Sequence, residues 1–304
     1  YTLFLHPIMK VYDTKNWVQF VFLIRKSDTL FRLAPLIGVI LIYSLGITYL
    51  ELEYFKIGEN SWVKNLPIMH SLLSFVISML LVFRTNTAYD RWWEGRKLWG
   101  SLVNNSRNFA LKLAAILDEK DEDSRKFFRK VIPIYAFVLK DHLQAKSTAY
   151  MLDDSEEDFE DLPSALKTEK HVPNQVAKLM FARINELYKK GKISGDQLII
   201  LNTEVSSFTD ICGACERIKN TPIPYSYSSF IRKFILLYSI TLPIGYSMIM
   251  GYYAAPIVAF IFYVLASLEL IAEEIEDPFG IDQNDLPMEK ISENIEKHVG
   301  EIFG

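Results

Sequence analysis

"FRTNTAYDRWW", residues Phe83 to Trp93, joins an apolar run to a charged and aromatic one, with neither Pro nor Gly at the seam. Upstream, the 19 residues from Asn65 to Phe83 carry no acidic or basic side chain other than His70. Downstream, Arg84 to Lys112 holds six basic and two acidic residues, a net of +4, together with Trp92, Trp93 and Trp99. A run of about 20 apolar residues crosses a bilayer as a helix. The unbroken seam therefore predicts one long helix that leaves the membrane without stopping at its edge.

Two further windows extend this reading. Leu33 to Leu50 is 18 residues without an acidic or basic group, and Phe234 to Leu268 is 35 residues without one. The first is a single span. The second is too long for one helix and is interrupted at "GYYAAP", residues 251–256. It reads as a hairpin of spans at about 234–250 and 255–271, which brings the expected total to four transmembrane helices.

The chain has 304 residues, 50% of them hydrophobic and 23% charged, so a large part of this membrane protein is wet. A net charge of −4 excludes nucleic acid as its main partner. Two cysteines, Cys212 and Cys215, cannot staple a fold of this size. The opening "YTLFLHPIMK" does not read as a signal peptide, and the missing initial Met reads as a trimmed start. Lys10, Lys15, Arg25, Lys26 and Arg32 precede the first span, Arg84 to Arg107 follow the second, and Arg232 and Lys233 precede the third. By the positive-inside rule both termini and the middle segment are cytoplasmic.

The expected organisation is an all-α integral membrane protein. Residues 1–30 form a cytoplasmic segment with an interfacial helix, 31–83 transmembrane helices 1 and 2, and 84–229 a cytoplasmic helical domain. Residues 230–272 form transmembrane helices 3 and 4, and 273–304 a cytoplasmic tail. Within 84–229, "SLVNNSRNFALKLAAIL", "RKFFRKVIPIYAFVLKDHL", "NQVAKLMFARINELYKKG" and "SGDQLIILNTEVSSFTDICGACERI" place apolar residues three and four apart. Ser194 and Gln197 make a capping box. "DDSEEDFED", residues 153–161, lies in an acidic, Pro-punctuated loop.

Enzyme signatures are missing: no Walker loop, GxSxG or HExxH occurs, and five scattered histidines show no ligand spacing. Cys212-Gly-Ala-Cys215 lies in a helical pattern without a second pair, so it reads as core. The spans hold almost no ionisable groups beyond His70 and Glu269, whereas coupled transporters hold their ions with such groups. An apolar pore remains open, because hydrophobic constrictions gate by expelling water. Phe75, Met79 and Phe83 recur every four residues on one face, with Ser71 above them. By periodicity alone that stripe reads more simply as packing on neighbouring helices. Asp90, Arg91 and Glu94 are close enough to pair locally. Near the end, Glu276, Asp277, Asp282 and Asp285 offer oxygen ligands to a hard cation such as Ca²⁺, in no EF-hand pattern, beside the simpler reading of a solvated acidic tail.

Taken together, "FRTNTAYDRWWEGRKLWG", "CERIKNTPIPYSYS" and "IAEEIEDPFG" resemble, in order, three segments of the bestrophin family, in particular its bacterial branch. The resemblance implies a homopentameric ion channel in a bacterial inner membrane, its second helices surrounding a central pore. It puts Phe75, Met79 and Phe83 in an apolar neck and Ile223 at a cytoplasmic aperture. Met79 stands where the family usually has a branched or aromatic residue, which softens the constriction.

Animal members are calcium-activated anion channels with a dense acidic run after "PFG". Here that run is "IDQND", so Asp282 and Asp285 alone make a weak calcium site and calcium gating is not expected. No cofactor is required, and the partners are further copies of the chain and the lipid bilayer. The family implies chloride or another anion, whereas an acidic 153–161 loop facing the vestibule would favour a cation such as sodium. The competing reading is a membrane-anchored oligomeric scaffold whose helical insert binds a cytoplasmic partner.

Overall fold

The computed structural model describes residues 29–56, 61–144 and 171–304. The interfacial helix expected within 1–30 and the acidic loop 153–161 lie outside the described residues. The described residues contain helices and no strand. They divide into two compact units, one of residues up to Arg91 with Pro222–Glu276, the other of Trp92–Thr221 with Asp277–Gly304.

The first unit is apolar. Helix α1 (Thr29–Tyr49) runs into a π-type turn, Leu50–Tyr54, and α2 (Leu66–Ile116) begins after a short 3₁₀ turn. Helices α6 (Tyr225–Thr241), α7 (Pro243–Met250) and α8 (Ala254–Glu276) follow later in the chain. Both α1 and α6 pack along α8. Ile40, Ile77, Leu81, Ile231, Ile235, Val258 and Phe262 make the core between them. Three stretches are long and apolar enough to cross a membrane: Thr29–Tyr54, Trp62–Ile116 and Tyr225–Glu276. The third is 52 residues long and doubles back, since α6 and α8 pack on each other.

That reversal uses the expected break at "GYYAAP" and one more. Gly251 has φ +60° and opens a 3₁₀ turn, Gly251–Tyr253. Earlier, Ile244 and Gly245 leave helical geometry, and Gly245 takes φ +89°. A Cβ there would stand 2.7 Å from the Val63 carbonyl oxygen. Left-handed backbone and this close approach both require glycine.

Helix α2 is one continuous element of 51 residues, about 77 Å at 1.5 Å per residue. It runs through the opening seam and contributes to both units.

The second unit adds α3 (Glu122–Leu143), α4 (Val172–Lys189), α5 (Gly195–Asn220) and α9 (Met288–Phe303). The capping box forms as expected: Ser194 Oγ accepts from the Gln197 N–H at 3.2 Å, and Gln197 Oε1 accepts from the Ser194 N–H at 2.8 Å. Phe109, Phe128, Tyr135 and Phe208 meet edge to face at centroid distances of 5.2–5.9 Å. The Tyr135 hydroxyl donates to the Phe208 carbonyl at 2.9 Å. Residues 288–303, expected as part of a tail, form an amphipathic helix on α3 that buries Met288, Ile295, Val299 and Phe303. Each such side chain contributes about 1.5–3 kcal/mol when fully buried.

Cys212 and Cys215 are both buried in this core as free thiols. Burial pushes the Cys212 thiol up to about 12 and Cys215 higher still. Because the thiolate is the reactive form, a maleimide at mildly alkaline pH labels neither cysteine until the protein is unfolded; fast labelling of the native protein would contradict this placement. The glycines give a second expectation. Gly245→Ala lowers the melting temperature through strain and the Val63 clash, whereas Gly213→Ala, mid-helix with open space around it, raises it by the equivalent of about 1 kcal/mol. Thermal unfolding of the two variants should therefore move in opposite directions.

Candidate functional site

The seam residue Arg84 is buried, 1% exposed, on a helix whose membrane-type window ends one residue earlier. An unpaired guanidinium there would be very costly. Its Nη2 lies 2.7 Å from Glu276 Oε2, and its Nε lies 3.4 Å from Glu269 Oε2. Glu269 also faces Arg232 at 3.3 Å, and Arg232 reaches Glu273 at 2.7 Å. Arg91, two turns on, donates from Nε to the Glu276 carbonyl at 3.0 Å. Arg32 of α1 pairs with Glu274. The polar end of α8 is thus held by arginines from α1, α2 and α6.

Ile223 joins the same cluster through its backbone. Its N–H donates to Glu276 Oε1 at 2.7 Å, while its side chain is half-buried ahead of Pro224, the residue that precedes α6. Both carboxylate oxygens of Glu276 are therefore committed, one to Arg84 and one to Ile223. Glu276 is thus tied into the helix packing rather than lying in a solvated acidic tail.

The inward turn of Arg84 fixes what α2 shows on its other side. His70, Ile77, Leu81, Arg84 and Ala88 recur at three, four and seven residues and are all buried. Phe75, Met79 and Phe83 stand roughly opposite at 100° per residue and are 69%, 50% and 55% exposed. Ile68 and Leu72 extend the same open face. In one copy of the chain, this stripe does not pack on its own neighbours.

Asp282 and Asp285 are placed differently from each other. Asp282 is exposed, whereas Asp285 is buried and accepts from the Asp282 N–H, closing the turn after Gly280. Asp277 accepts from the Phe279 N–H at 3.3 Å. Glu94, expected to pair within its own turn, pairs with Arg217 at 2.7 Å. Among the described residues, the group of three or more His, Cys, Asp or Glu whose ligand atoms converge is His142, His171 and Glu216. Sequence spacing could not reveal it, because Glu216 is 74 and 45 residues from the two histidines.

A family model described as bacterial/fungal bestrophin protein matches residues 9–301. A protein of Nostoc sp. named as a voltage-dependent anion channel-forming protein is 32% identical over 299 residues, covering 95% of this chain and 92% of that one. A protein of Escherichia coli K12 with the same descriptive name is 28% identical, again covering 95% and 92%. The crystal structure of a bacterial bestrophin homologue from Klebsiella pneumoniae superimposes with a TM-score of 0.75 at 26% identity, over 88% of this chain and 97% of that one.

The Arg84 cluster makes a stability prediction. Arg84→Gln leaves Glu276 without its cation and Glu269 with Arg232 alone, and costs about 3–5 kcal/mol. Arg232→Gln, at a half-exposed guanidinium, costs far less. Adding Glu276→Gln to Arg84→Gln should recover part of the loss. Melting of the four proteins in detergent, followed by tryptophan fluorescence, checks the order.

Proposed function

Because the chain belongs to the bacterial and fungal bestrophin family, we propose that it assembles as a homopentamer around a central pore for small monovalent ions. The observation that carries this reading is the open apolar face of α2, with Phe75, Met79 and Phe83 exposed along a helix anchored from behind by Arg84. Five such faces around an axis would bury a stripe that one copy leaves bare. They would also form an apolar neck that offers no charge to a passing ion, so conduction would depend on its width and hydration. Ions that clear the neck would enter a vestibule lined by the helical unit and leave past Ile223.

The names of the Nostoc and Escherichia coli relatives favour an anion, chloride first, over a cation such as sodium. The basic flanks of the apolar helices favour an inner-membrane location with both termini in the cytoplasm. The interrupted acidic run "IDQND" leaves Asp282 and Asp285 a weak calcium site, which favours conduction without calcium.

Flux from liposomes containing the purified protein separates the channel from a membrane-anchored scaffold, which would pass no ions. Phe75→Ala, Met79→Ala and Phe83→Ala combined should raise unit conductance or open probability, unaltered by a calcium chelator. Reversal potentials across a NaCl gradient report the ion. If the triple variant carried unchanged single-channel currents, the neck would lie elsewhere. Cross-linking that stopped at a dimer would remove the pentamer and the pore together.

A further inference from the structure

In the helical unit, three side chains from three different segments converge. His142 lies in the last turn of α3, His171 is the residue before α4, and Glu216 lies one turn before the end of α5. Both imidazole Nε2 atoms stand 2.6 Å from the same carboxylate oxygen, Glu216 Oε1, and the two rings are 4.5 Å apart, tilted by 46°. The three ligand atoms all lie within 4.8 Å of one another. We infer that this group is a binding site for a borderline transition-metal ion, Zn²⁺ in the first place.

The donor set decides the class of ion. Two imidazole nitrogens and one carboxylate oxygen suit Zn²⁺ or Co²⁺, whereas Ca²⁺ and Mg²⁺ take oxygen ligands. Three protein ligands leave a fourth tetrahedral position for water. About a third of each side chain is exposed, so an ion can reach the group from solvent. Held as it is without an ion, the site is a pair of hydrogen bonds. A carboxylate only accepts, so each ring turns an Nε2–H towards Glu216.

Binding an ion requires modest movement. A tetrahedral ion with bonds of about 2.0–2.2 Å spaces its ligand atoms about 3.3–3.6 Å apart, so Glu216 must draw back from each ring, now at 2.6 Å, by roughly 0.7–1 Å. Each ring must also carry its hydrogen on Nδ1. Among the described residues, that change costs His142 no hydrogen bond at Nδ1. For His171 it gives up a long contact of 3.3 Å from the Asn174 N–H, the weakest bond in the group.

The surroundings hold the ligands in place. The buried Cys212 lies one turn before Glu216 on α5. Lys219 donates to the backbone carbonyls of His142 and Leu143. Its charge opposes a cation, as does the amino end of α4. The carboxyl ends of α3 and α5 and the Glu216 anion favour one.

The test uses the full chain without a histidine tag, stripped with EDTA and titrated with Co²⁺ alone in detergent. One equivalent per chain should give the visible bands of a tetrahedral ion, lost on adding Zn²⁺. His171→Ala and Glu216→Gln should weaken binding by about 100-fold or more, since even outer-shell changes cost 10–100-fold. Glu216→Gln keeps a carbonyl acceptor for the rings, so it guards against misfolding as the cause. Excess Zn²⁺ should also raise the melting temperature of the wild type and leave both variants unmoved. Equal uptake by the wild type and His142→Ala/His171→Ala, or a wild-type melt indifferent to Zn²⁺, would overturn the site.

Discussion

A guanidinium can stay buried in an apolar helix bundle only if carboxylates meet it there. Arg84 is that guanidinium, and Glu269 and Glu276 of α8 are the carboxylates. The requirement fixes the rotation of α2 about its own axis, because Arg84 can face α8 in only one setting of the helix. His70, Ile77, Leu81 and Ala88 then turn inward with it. Phe75, Met79 and Phe83 have no choice but to turn outward. The proposed neck is thus a consequence of where the ion pair sits, although none of its three residues touches a charge in the cluster.

Much of this was legible in the chain. Charge-free windows located the apolar stretches, periodicity located α3, α4 and α5, and "SGDQ" announced its capping box. The unbroken seam at Phe83 correctly foretold that α2 would continue. What escaped detection involved partners far apart in sequence or local geometry without a strong residue signature. Arg84 read as a flanking positive charge, since nothing local to it reveals two acids nearly two hundred residues on. Glu276 read most simply as part of a solvated acidic tail for the same reason.

The other omissions have equally definite causes. Met288, Ser292, Ile295, Val299 and Phe303 carry helical spacing, yet the surrounding charges made the segment look like a solvated tail. The second break in the α6–α8 hairpin rests on Gly245, whose left-handed backbone is demanded by the Val63 carbonyl and by no neighbour in sequence. The convergence of His142, His171 and Glu216 needed three helix ends to be brought together before any spacing between them had meaning.

One carboxylate also explains why the three stretches that carry the family resemblance belong together. Glu276 closes "IAEEIE", accepts Arg84 from "FRTNT" on one oxygen, and accepts the Ile223 N–H from "NTPIP" on the other. The first of these contacts sits beside the last residue of the proposed neck, and the second sits on the residue proposed for the aperture. A displacement of the whole Glu276 carboxylate away from both partners would stretch both contacts. The two proposed constrictions are therefore tied through one side chain at the end of α8.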